Sequence, residues 1–145
     1  MPSVRKSAIV DRPAAAMFSL VDAVERYPEF LPWCTSTELL ERSEQTTAAR
    51  LFVDFHGLKT DFSTVNAKKA PEWMDIQFTA GPFEHFRGHW RFHPLGEAGC
   101  RVEFTLDYSF RSAALEALLG KAFGHIAQTM VERFVERSGQ PGAFE

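Results

Sequence analysis

The sequence predicts an α+β fold of helix-grip shape, with a curved antiparallel sheet wrapped around one long C-terminal helix. Three observations predict it. Between residues 51 and 110, short segments alternate apolar and polar side chains with a period of two, as strands with one wet and one covered face do. From about Ser112 to Arg137 the apolar period becomes helical. The 14 Phe residues need a covered face, and that single long helix is available to cover it.

The elements follow in order. Val4 to Val10 reads as a first strand. Asp11, as a capping carboxylate, and Pro13, in the first turn, then start a helix. Met17, Leu20, Val21 and Val24 continue it at helical spacing. Pro28 pushes Tyr27 out of the α region, so the helix is expected to end there.

Beyond Trp33, Leu51, Val53 and Phe55 face opposite to Phe52, Asp54 and His56, and Gly57 marks a turn. Phe62 and Thr64 face opposite to Asp61 and Ser63; Met74, Ile76 and Phe78 face opposite to Asp75 and Gln77. Gly81-Pro82 is a second turn. Phe86, Gly88, Trp90 and Phe92 share one face, with His85, Arg87, His89 and Arg91 on the other. The clearest strand has Val102, Phe104, Leu106, Tyr108 and Phe110 on its apolar face. Short turns between successive strands require antiparallel pairing. The closing helix carries Leu115, Leu118, Leu119, Phe123, Ile126, Met130 and Phe134 as its apolar stripe.

The chain has 145 residues, 45% of them hydrophobic, and reads as a single domain over 1–145 with 138–145 as a frayed tail. The net charge is -3 without a basic run, which argues against broad nucleic-acid binding but leaves room for a local basic patch. Cys34 and Cys100 lie far apart, and Met1 to Val10 has no apolar signal region, so both are read as reduced thiols. No apolar run approaches the roughly 18 residues that span a bilayer. The expectation is a cytoplasmic protein whose membrane contact, if any, is peripheral to the inner membrane.

Three local features bear on function. The segment from Tyr27 to Cys34 holds four large apolar side chains and two prolines where a polar connection is normal. It is open to reading as a loop packed under the core, as the wall or gate of an apolar cavity, or as a surface patch. Gly120 and Gly124 each cost about 1 kcal/mol in a helix relative to alanine. They mark either close backbone approach or room for a ligand. His85, His89 and His93 alternate with Arg87 and Arg91, which disfavours a metal site and gives a solvated face or a strip that meets phosphate. Enzymatic signatures such as P-loop, GxGxxG, HExxH and GxSxG are absent. Asp54, Asp61, Glu103 and Asp107 alternate away from the apolar face, so no catalytic pair is expected.

The segment Asp22-Ala23-Val24-Glu25-Arg26-Tyr27-Pro28-Glu29-Phe30-Leu31-Pro32-Trp33-Cys34 resembles the signature of the coenzyme Q-binding START family, which includes bacterial ribosome-association toxins. The similarity continues through Phe62-Ser63-Thr64-Val65, Gly81-Pro82-Phe83, Gly88-His89-Trp90-Arg91-Phe92 and the helix with Phe123 and Met130.

This resemblance implies an apolar cavity between helix and sheet, with Tyr27, Phe30, Leu31 and Trp33 at its gate and Trp90 and Phe92 on the sheet. Phe55, Phe62, Phe78, Phe104, Phe123 and Met130 complete the candidate ligand-binding positions. Arg87 and Arg91 are candidate RNA or phosphate contacts. No metal, cofactor or catalytic residue is expected.

The first functional expectation is a non-catalytic carrier or chaperone for an isoprenoid quinone, with ubiquinone or a polyprenyl lipid as ligand, supporting respiration. The alternative is a ribosome-association toxin that binds the large ribosomal subunit and blocks 70S formation. A third is an enzyme of the polyketide cyclase/dehydrase superfamily, for which His125 and Tyr108 are the available acid–base candidates. The oligomeric state is left open.

Overall fold

The structure, a computed structural model, describes residues 2–55 and 57–144. Strand β1 (Ser3–Val10) leads into helix α1 (Ala14–Asp22) and a 3-10 segment (Val24–Glu29). Six strands follow: β2 (Cys34–Arg42), β3 (Thr46–Phe55), β4 (Leu58–Lys69), β5 (Trp73–Ala80), β6 (Phe83–Leu95) and β7 (Gly99–Phe110). Helix α2 (Ala113–Ser138) closes the chain. The strands form one antiparallel sheet in the order β1-β7-β6-β5-β4-β3-β2, so β1 and β2 are its two edges. The helix-grip architecture predicted from the sequence is the one observed.

The inward faces agree with the period-two reading. Val102, Phe104, Leu106 and Tyr108 are buried, as are Phe62, Thr64, Trp90 and Phe92. Gly81 has φ +143, and a Cβ there would lie 2.6 Å from the Phe62 Cβ, so glycine is required at this turn. Ser112 caps α2 by accepting from the Leu115 amide at 3.1 Å. At 1.5 Å per residue, α2 is about 39 Å long, enough to cross the whole concave face. Its C-terminal half is held hardest. Phe134 is buried against Tyr27, Phe30 and Trp90 with ring centroids 5.5, 5.1 and 5.3 Å away.

Several expectations are corrected. Pro13, not the Asp11 carboxylate, occupies the N-cap of α1, and its carbonyl takes the first amides, from Ala16 and Met17. The α-helix stops at Asp22, and the tighter 3-10 turn that follows accommodates Pro28 within it. β2 is a strand that the sequence does not signal. It is an edge strand with two register shifts and is exposed over most of its length, so its sequence carries no clean alternation. Leu118 lies off the apolar stripe of α2, 59% exposed.

The end of the chain is docked rather than frayed as far as Ala143. Arg26 donates to the Gly142 carbonyl at 2.7 Å and the Ala143 carbonyl at 3.1 Å, Arg12 donates to the Ser138 carbonyl, and Ala143 is buried. Glu145 lies outside the described residues, as does His56. No helix among the described residues is long and apolar enough to cross a membrane.

Candidate functional site

Between α2 and the concave sheet lies an apolar cavity of about 70 Å³. Strands β3 to β7 supply its floor through Leu51, Phe62, Thr64, Asn66, Ile76, Phe86, Trp90, Phe104 and Leu106. Helix α2 supplies its roof through Phe123, Ile126, Met130 and Phe134, and Val24, Tyr27 and Trp33 close one side. A second cavity of about 20 Å³ continues toward the β3–β4 hairpin. Phe62, Phe123 and Ile126 line both and divide them.

The anticipated enclosure is present, but the Tyr27–Cys34 segment is an inner wall rather than an open mouth. Leu31 is fully buried and Trp33 is 7% exposed. The Tyr27 hydroxyl donates to the Val21 carbonyl, and burial raises its pKa strongly. Outside this wall is a surface pocket of about 280 Å³ lined by Pro32, Asp54, Phe55, His125, Thr129 and Arg133. Trp33 lines it too, so one indole is shared by the inner cavity and the outer pocket.

Of the predicted positions, Tyr27, Trp33, Phe62, Trp90, Phe104, Phe123 and Met130 meet in the inner cavity, and Phe55 lies in the smaller one. Four serve packing instead. Phe30 packs on Phe134 and under the Arg137 guanidinium. Leu31 is sealed in the core. Phe78 sits against Phe83 and Phe86. Phe92 packs beneath Phe18 of α1.

The sequence reading missed Asn66 as a wall residue, although extending the alternation Phe62, Thr64 by one step finds it. It also left out Leu51, Phe86 and Phe134 as candidates, because an aliphatic or aromatic position that lines a cavity has the same pattern as one that fills a core.

Neither Gly120 nor Gly124 lines these cavities. A Cβ at Gly120 would meet Glu116 Cγ at 3.5 Å, and one at Gly124 the Tyr108 hydroxyl at 3.6 Å; both are ordinary contacts. Neither of the two glycine explanations holds.

The acid–base candidates fare no better. His125 is exposed on the outer pocket, and Tyr108 is buried outside both cavities. Among the described residues, Tyr27 is the one titratable group on the inner wall. No group of His, Cys, Asp and Glu among the described residues could hold a metal. Burial pushes the Cys34 thiol up to about 12 and raises Cys100 as well.

The basic strip is a checkerboard. Arg87 faces Asp107 across the β6–β7 ladder, and Arg91 faces Glu103. Glu103 is engaged by Arg101 at 2.6 Å and His93 at 3.1 Å. His89 pairs with Asp75, and burial followed by Arg91 lowers its pKa. Arg87 and Arg91 are exposed and make no ion pair among the described residues.

Comparison with known proteins matches this fold and sequence. The family described as "Polyketide cyclase / dehydrase and lipid transport" matches residues 10–135. A Pseudomonas aeruginosa protein named ribosome association toxin RatA is 37% identical over 94% of this chain and 95% of its own length. A protein of the same name from Vibrio cholerae is 39% identical over 97% of each chain. More distant is a Xenopus laevis mitochondrial coenzyme Q-binding protein COQ10 homolog B, 26% identical over 86% of this chain and 52% of its own length.

Among solved structures, a Thermus thermophilus protein superposes with TM-score 0.77 at 24% identity, covering 93% of this chain and 92% of that one. A Streptomyces aromatase/cyclase superposes with TM-score 0.75 at 19% identity, over 97% and 98%. These two likenesses establish the shared fold. With a family match that begins at the last residue of β1 and ends within the final turns of α2, the chain belongs to the polyketide cyclase/dehydrase and lipid-transport family.

Proposed function

We propose that this protein binds the large ribosomal subunit and hinders its joining to the small one. The observation that carries this reading is the full-length similarity, at 37 and 39% identity, to two proteins named ribosome association toxins. An alignment over nearly the whole of each chain leaves no separate module to account for that role. The exposed Arg87 and Arg91 supply two cations for phosphate contact on the convex face of the sheet. The reading is tested by sedimenting purified subunits with a stoichiometric excess of the protein. It predicts free subunits in place of 70S particles, with the protein in the large-subunit fraction. Normal 70S assembly would overturn it.

Carriage of an isoprenoid quinone is a second reading, favoured by the apolar cavity and by the COQ10 relative. The cavity is about half of the 150 Å³ that holds benzene in an engineered core. A quinone ring therefore requires Phe123 or α2 to move. Titration with a short-chain quinone, followed by Trp33 and Trp90 fluorescence, tests it; an unsaturable response eliminates it.

A further inference from the structure

We propose that the convex face of the sheet carries a stacking platform for an unpaired base of single-stranded RNA, with the Trp73 indole as the platform and Lys69 and Arg91 as the cations that take the flanking phosphates. The inference rests on the ribosomal reading for where such RNA is met.

The strand register places these three side chains together. Met74 is fully buried on the concave side, so Trp73, one residue earlier, projects from the convex side together with Asp75. Trp73 is matched to Lys69 on β4 and to Arg91 on β6. A cation therefore stands on each side of the indole, one strand spacing of about 5 Å away. Trp33 and Trp90 are buried, whereas Trp73 stays partly exposed. Its indole makes no ring contact, cation contact or hydrogen bond among the described residues. An open aromatic face between two cations suits a base and its backbone.

The charges around it favour a polyanion. Asp75 is engaged by His89, Glu103 by Arg101 and His93, and Asp107 accepts from the Ser3 hydroxyl. Arg91 is left without an ion pair among the described residues. Lys69 has Glu72 at 3.2 Å, but both side chains are more than half exposed and such a pair is weak. A base inside a duplex is already stacked on both faces, so the partner is an unpaired strand. A lipid surface fits less well. Trp73 stands alone among charged groups, and Asp75, Glu103 and Asp107 would be pressed against anionic headgroups.

The test is fluorescence anisotropy of a labelled oligoadenylate of about eight nucleotides, titrated with the full chain over a range of salt. Saturable binding is expected, with a matching RNA duplex competing poorly. Trp73→Ala should weaken binding by about five-fold or more and leave the salt slope unchanged, while Trp73→Phe retains most of the affinity. Arg91→Gln should instead make the salt slope shallower by about 0.7. If the alanine variant does not fold, Trp73→Leu, which keeps apolar cover without a π face, carries the same expectation. The proposal is overturned if binding does not saturate, if Trp73→Ala and Trp73→Leu bind like the wild type, if the duplex competes as well as the single strand, or if phosphatidylserine vesicles rather than RNA bind through Trp73. No ribosome is present in this assay. Its failure beside normal large-subunit binding moves the ribosomal contact elsewhere, and its success beside normal 70S assembly removes the ribosomal reading and keeps the RNA surface.

Discussion

Lys68 and Asp22 form an ion pair of 2.9 Å that fastens the end of α1 to the fourth strand. The Lys68 side chain is 6% exposed and Asp22 17%. Removing one partner strands the other charge in a dry setting. Asp22 keeps Thr47 at 2.6 Å and Arg42 at 3.6 Å, which softens the loss. Lys68→Met is therefore expected to destabilise the fold by about 2–3 kcal/mol in urea denaturation. The double variant Asp22→Asn with Lys68→Met should recover part of it, and simple additivity would refute the coupling.

Acid should loosen the clamp beside it. The Arg42 guanidinium, 2.6 Å from Glu25, holds the Glu25 carboxyl below its ordinary value of 4.5. A carboxyl whose pKa is depressed by folding adds stability above its unfolded pKa. That stability is lost as pH falls through the lower folded value. The denaturation midpoint is expected to decline below about pH 4.5, and to decline less in Glu25→Gln. Equal declines in both proteins would show that the pair does not contribute.

Gly120 offers a stabilising change. An alanine methyl there meets only Glu116 Cγ at 3.5 Å and Phe110 at 3.9 Å. Gly120→Ala is expected to add about 0.5–1 kcal/mol through helix propensity, a rise in Tm of about 1–4 °C for a chain of this size. A fall in Tm on thermal melting would mean that α2 needs flexibility at this point.

The convex face gives the ribosomal reading a residue-level test. Arg87 and Arg91 have no ion pair to lose among the described residues, so replacing both by Gln, which sets no like charge against Asp107 or Glu103, should leave Tm nearly unchanged. Binding to the large subunit should weaken, and its dependence on salt should become shallower by about one per phosphate contact removed. Unaltered binding at every salt concentration would place the ribosomal contact elsewhere.

Much of this architecture was legible because burial imposes a period. Strands β3, β4, β5, β6 and β7 each have one face against α2, so Leu51, Phe62, Met74, Trp90 and Phe104 announce themselves by alternation. Where burial is absent the signal fails. β2 is exposed and bulged, and Leu39 and Leu40 sit next to each other at 40% and 54% exposure. The docking of residues 138–143 depends on Arg26 and Arg12, more than a hundred positions away, and no local pattern encodes such a contact. The cavity wall was half legible. Its aromatics were found, but which of them face empty space depends on packing. Phe78 and Phe92, on the same faces as Ile76 and Trp90, went to packing instead.

The pairing of β1 with β7 has a consequence for synthesis. Ser3 is matched to Asp107 and Val10 to Cys100, so β1 has no ladder partner until some hundred further residues have been made. Such a sheet closes late, because a long loop must be ordered before strands far apart in sequence reward it. During translation β1 is expected to wait as an unpaired ribbon until β7 has been made.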